Sequence, residues 1–161
     1  MGWLASFSNE RVKWRRERAA RWDESRLTAA VRYSGAVKRQ VQLCLRIGAG
    51  EGLGTMDVVR LDRTAGLDLL NAAEEQRSEA FEELLLLFED RTIEAARRWQ
   101  EAVWELVAAV DGRRTVEQAE FMELFRAAGM VRDQFYVTVR SSLAITSRFL
   151  QSEAFGTTKT A

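Results

Sequence analysis

Apolar residues recur at intervals of three and four along four successive stretches of this chain, and that period belongs to amphipathic helices. The first stretch takes in Leu27, Ala30, Val31, Val37, Val41, Cys44 and Leu45. The second takes in Val58, Leu61, Ala65, Leu69, Ala72, Ala73, Ala80, Leu84 and Phe88. Ile93, Ala96, Trp99, Val103, Leu106, Val107 and Val110 form the third. Ala119, Met122, Leu124, Phe125, Ala128, Val131, Phe135, Val139 and Leu143 form the fourth. Composition adds one decisive point: the 161 residues contain no proline, so nothing forbids long uninterrupted helices. The spacing predicts helices near 9 to 47, 57 to 88, 91 to 110 and 115 to 152. Short connections make neighbours antiparallel, so the expected fold is all-α, an antiparallel four-helix bundle whose long first helix projects at its N-terminal end.

Local signals set the expected boundaries. Ser8 or Asn9 can cap the first helix, and Gly48-Ala-Gly-Glu-Gly-Leu-Gly54 ends it. Thr55 or Asp57 opens the second, in which Gln76 falls on the apolar stripe and the run Leu84-Leu-Leu-Leu-Phe88 buries more than one face. Asp90 or Thr92 caps the third helix after a break at Glu89-Asp-Arg-Thr92, the competing reading being one bent helix from 57 to 110. Thr115-Val-Glu-Gln118 has the pattern of a capping box for the fourth. Three segments result: a basic aromatic extension over 1 to 26, the helical bundle over 27 to 152, and a disordered tail over 153 to 161.

A formal net charge of zero conceals a strong asymmetry. Residues 1 to 50 carry eleven Arg and Lys against four Asp and Glu, whereas residues 51 to 110 carry six against fourteen. An acidic second helix can therefore neutralise a basic first helix where the two pack. The uncompensated cations are expected before residue 26, in Arg11-Val-Lys-Trp-Arg-Arg-Glu-Arg-Ala-Ala-Arg-Trp22. Trp3, Leu4, Phe7, Trp14 and Trp22 form an arc roughly opposite the Leu27 to Leu45 stripe if the helix is continuous. The candidate membrane-binding or partner-binding residues are Trp3, Phe7, Arg11, Lys13, Trp14, Arg15, Arg18, Arg21 and Trp22. Tryptophan and arginine beside a short apolar start suit the headgroup layer of an anionic membrane. They also suit a protein partner or self-association through the tryptophan arc, and less well the phosphates and bases of a nucleic acid.

Most enzyme chemistry lacks its parts here. No histidine occurs, which removes the Glu-x-x-His ligands of di-iron bundles and most zinc sites. Glu74, Glu75, Glu79, Glu82 and Glu83 read as a solvated helix face rather than a cation site. Cys44, the single cysteine, lies between two leucines and reads as a buried, inert thiol. Ser141 and Ser142 have no evident activating base. The four alternating glycines of 48 to 54 follow a helix rather than a strand and precede no Lys-Ser/Thr pair, so they read as a connection and not as a phosphate loop. The expectation is a non-enzymatic protein with no cofactor, no metal and no small-molecule substrate.

Several motifs resemble a group of uncharacterised actinobacterial helical proteins. They are Trp14-Arg-Arg-Glu-Arg18, Arg21-Trp-Asp-Glu-Ser-Arg-Leu27, Tyr33 with Ala36-Val-Lys38, Ala96-Arg-Arg-Trp99 with Ala102-Val-Trp104, and Ala127-Ala-Gly129 leading to Arg132-Asp-Gln-Phe-Tyr136 with Arg140. Members of that group often carry one transmembrane helix directly before the Trp-Arg-Arg motif. They place a Thr-Pro turn where this chain has Glu89-Asp-Arg-Thr92. The resemblance carries no dedicated function and implies only an anchor preceding Phe7; joined to the reading of the residues, it gives the expectation of a scaffold or interaction domain at the cytoplasmic face of the cell membrane. A nucleic-acid-binding regulator using Arg11 to Arg26 is the alternative.

Overall fold

The computed structural model describes residues 3 to 54 and 58 to 145, with side chains described from residue 21 onward. Four helices follow one another: α1 (Trp3–Gly50), α2 (Arg63–Leu87), α3 (Asp90–Asp111) and α4 (Gln118–Ser142). They run alternately up and down, as contacts at the two ends show. At one end, the Arg26 Nε donates to the Leu87 carbonyl at 2.8 Å, and the Ser142 hydroxyl donates to a Glu89 carboxylate oxygen at 3.0 Å. At the other, Arg63 donates to the Asp111 carbonyl at 2.5 Å. The helices pack as two hairpins, α1 with α2 and α3 with α4, which meet mainly where α1 crosses to α3.

Small residues allow that central approach. Ala29 and Ala30 on α1 and Ala96 on α3 are all buried. Around them the aromatic rings of three helices interlock: Tyr33 lies 6.0 Å from Trp99 and 5.4 Å from Phe135, and Trp99 lies 5.6 Å from Phe135, between ring centroids. Rings of this size dominate core energetics through the apolar area they withdraw from water.

The break between α2 and α3 is a true turn, with Phe88 extended at φ −118° and ψ 155°. Thr92 does not cap α3. Its hydroxyl donates to the Glu89 carboxylate at 2.6 Å, and Glu89 occupies the N-cap position without capping a backbone amide.

Other boundaries and faces differ from the sequence expectation. Helix α1 begins at Trp3, so Ser8 and Asn9 lie inside it, and it continues through Gly48 to Gly50. Gly48 is there for close approach: a Cβ on it would stand 2.7 Å from the Phe121 ring. The connection proper is 51 to 62, and α2 starts at Arg63 with the Asp62 carboxylate accepting from the Ala65 amide at 3.1 Å. Thr55 and Asp57 lie outside the described residues. In α4 the helix starts at Gln118, leaving Thr115 outside it and the capping box unformed. It stops at Ser142, short of 152, where Ala144 turns left-handed at φ 56° and Ile145 donates back to the Arg140 carbonyl at 2.7 Å. The expected tail over 153 to 161 lies outside the described residues.

The buried stripe of α2 is Gly66, Leu70, Ala73, Arg77, Ala80 and Leu84. Ala65, Leu69, Ala72 and Gln76 are exposed instead, as are Leu85 and Leu86. The phase was hidden because two of its six positions are a glycine and an arginine. On α1, Leu27 and Val31 are exposed, and the buried positions run through Ala29, Tyr33, Val37, Gln40, Cys44 and Ile47. Ala119 is exposed on α4, while Phe121, absent from the expected stripe, is fully buried.

Candidate functional site

Twenty-five residues suffice for each of α2 and α4, but α1 has forty-eight. At a rise of 1.5 Å per residue, about 35 Å of α1 lies N-terminal to Arg26, the residue that meets the end of α2. This arm leaves the bundle through a collar of polar contacts. The Arg26 guanidinium lies 5.7 Å from the centre of the Phe88 ring while bonding the Leu87 carbonyl. Glu89 binds Thr92 of α3 and Ser142 of α4. Burial by itself pushes the pKa of Glu89 up, but the hydrogen bonds from Thr92, the backbone and Ser142, with the charge of Arg26, outweigh it and hold the carboxyl below its ordinary value. The collar thus ties three helices to the base of the arm.

Of the residues expected to bind a membrane or partner, Arg21 and Trp22 are exposed, Trp22 at 54%. Trp3, Phe7, Arg11, Lys13, Trp14, Arg15 and Arg18 lie on the helical arm, and their side chains are outside the described set. Trp22 is not opposite the core face of α1. It falls in register with it: positions 22, 26, 29, 33, 37, 40, 44 and 47 are spaced by three and four, and the last six are buried. The same helix side that packs inside the bundle therefore continues past its end, where Trp22 has lost the neighbours that cover Tyr33.

Inside the bundle one polar layer crosses three helices. Gln40 on α1 donates to Glu74 on α2 at 2.6 Å, and Arg77 grips the same carboxylate at 2.6 and 3.1 Å. Gln100 on α3 donates to Gln40 and Glu74 at 3.3 and 3.4 Å. Glu74 is thus half-buried and held in this layer, whereas Glu75, Glu79 and Glu82 are exposed. Glu83 pairs with Arg32, a link of the basic first helix to the acidic second.

The Cys44 thiol is fully buried, and burial together with the charge of Asp111 pushes it up to about 12, which keeps it protonated and unreactive at neutral pH. Among the described residues no group of three His, Cys, Asp or Glu side chains is gathered as metal ligands would be. No described helix is long and apolar enough to cross a membrane. Compared with protein-family models, curated proteins and solved structures, the chain has no match.

What the residue pattern did not reveal is the row Glu75, Glu79, Glu82 and Leu86 on the outer side of α2. Leu86 is 83% exposed, beside a shallow groove formed with Glu24, Ser25 and Thr28 of α1. The signal was present in the spacing of four, three and four. Glu74 and Glu83, adjacent in sequence to Glu75 and Glu82, blur it into one acidic cluster.

Proposed function

We propose that this chain is a non-enzymatic interaction and scaffold domain in which the bundle is a rigid mount and the arm of α1 is the attachment element. The arm engages the anionic cytoplasmic face of a membrane, with the domain held there through a segment preceding Phe7. One observation carries this reading: α1 continues about 35 Å beyond the bundle, and that length coincides with the basic, tryptophan-bearing part of the sequence. A helix that served only the fold would have no need of it. Exposed indoles partition to the headgroup layer and long cations reach the phosphates, each basic residue adding about 1 kcal/mol near an anionic surface.

The test is co-sedimentation of the chain with vesicles of neutral lipid and of neutral lipid mixed with a phosphatidylglycerol. Binding to the anionic vesicles alone, lost on Lys13→Glu with Arg21→Glu and weakened by Trp14→Ala, is the expected result. No binding to either vesicle would overturn it. A shift of duplex DNA or RNA with a steep dependence on salt, in the absence of vesicle binding, would assign the arm to nucleic acid instead.

A further inference from the structure

Two helical stretches of this chain carry opposite charge at the same spacing. On α2, Glu75, Glu79, Glu82 and Leu86 recur at four, three and four residues, all exposed. On the arm of α1, Arg11, Arg15, Arg18 and Trp22 recur at four, three and four. Such spacing stacks residues along one side of any α-helix. We infer that the arm of one copy docks along the acidic row of α2 in a second copy, with Arg11 to Arg18 meeting Glu75 to Glu82 and Trp22 meeting Leu86.

Direction and length both fit. Because α1 is one continuous helix from Trp3 to Gly50, it carries its arm away from its own α2, and a single chain cannot bring the two rows together. In a second copy turned end for end, α2 runs in the same sense as the arm. Trp22, just outside its own bundle, then lies level with Leu86 at the end of the other, and each residue further out along the arm meets one further back along α2. The arm and α2 are of similar length, about 35 Å each. The contact is reciprocal, so the two copies form a closed two-fold dimer with two identical arm contacts rather than an open chain.

Charge and apolar surface supply complementary parts of the contact. Among the described residues Glu75, Glu79 and Glu82 have no ion-pair partner within the monomer, in contrast to Glu74 and Glu83. Three facing pairs steer the encounter and specify the register. Leu86 at 83% and Trp22 at 54% exposure are apolar surface that a monomer leaves in water and this contact covers.

The experiment is sedimentation velocity on the whole chain without lipid, which separates this contact from the membrane reading. Four proteins are compared: the natural chain, an arm reversal (R11E, R15E, R18E), an α2 reversal (E75R, E79R, E82R), and the chain carrying both. Circular dichroism checks that each is helical and melts cooperatively; the α2 row lies opposite the buried stripe, so folding should survive. The natural chain and the doubly reversed chain should be dimers, each single reversal a monomer, and an equimolar mixture of the two single reversals a heterodimer. Salt at 1 M should weaken every dimer. A natural chain that stays monomeric at high concentration would overturn the inference, as would a dimer untouched by either reversal or a mixture that fails to associate.

Discussion

The Tyr33 hydroxyl donates to the Ala96 carbonyl at 2.8 Å, joining α1 to the first half of α3. The bond sits inside the aromatic cluster with Trp99 and Phe135, where neither group has access to water. It locks the sliding register of the two helices through which the hairpins meet. Replacing Tyr33 by Phe keeps the ring and removes the bond, and should cost about 1 kcal/mol of stability in a urea titration.

Alkaline pH offers a second reading of the same side chain. Burial raises the Tyr33 phenol far above its ordinary 10.0 and the Cys44 thiol from 9.0 to about 12. Both ionise more readily in the unfolded chain, so their contribution is intact below about pH 9 and is lost as pH rises toward 12. The melting temperature should fall over that range. Tyr33→Phe combined with Cys44→Ala should flatten the fall, and an unchanged slope would contradict the assignment.

Glu89 governs the acid side. Its carboxyl is held below the ordinary 4.5 in the folded chain, so the stability it contributes is present above that value and lost as pH falls through the folded one. Glu89→Gln should lower the melting temperature at pH 7 and reduce the further drop below pH 4.5. Because this residue ties Thr92 and Ser142 at the base of the arm, hydrogen exchange should quicken first around residues 88 to 92 and at the end of α4.

The polar layer predicts non-additive mutations. Glu74→Ala leaves the buried Arg77 without its carboxylate and should destabilise by about 2 kcal/mol, below the range for fully buried pairs because the Glu74 side chain is 39% exposed. Glu74→Leu with Arg77→Met should recover much of that loss. Purely additive losses would mean that the layer does not act as a unit.

Gly48→Ala tests the contact between α1 and α4. The added methyl meets the Phe121 ring at 2.7 Å, inside contact distance. Overpacking of this kind costs about 1–3 kcal/mol, and Phe121→Leu in the same chain should return part of it.

Legibility followed chemistry element by element. The face of α3 was readable because most of its buried positions, among them Ile93, Ala96, Trp99, Val103, Leu106 and Val110, are apolar, with Thr92 and Gln100 the polar exceptions. Half of α2 was misread because its buried row contains Gly66 and Arg77, and neither advertises burial. Gly66 is buried because Ile47 comes too close for a Cβ, and Arg77 because Glu74 and the Phe81 ring receive its charge. The site behaved likewise: the basic arm was conspicuous in sequence, while the row of Glu75, Glu79, Glu82 and Leu86 was distinguished from its neighbours only once Glu74 and Glu83 were seen to be engaged elsewhere.

By itself, then, the sequence determined an all-α fold, a basic first half of α1 and an acidic α2, without deciding between one bent helix and two over 57 to 110. These follow from period, charge and the absence of proline, all properties of neighbouring residues along one chain. The tertiary structure decided the rest: that Gly48 and Gly50 belong to a helix, that Asp62 starts α2, that Leu86 lies in water and Arg77 does not, and that Trp22 continues the core face rather than opposing it. Each of those depends on which helix stands opposite, and no local pattern encodes the distance to a partner brought near by the fold.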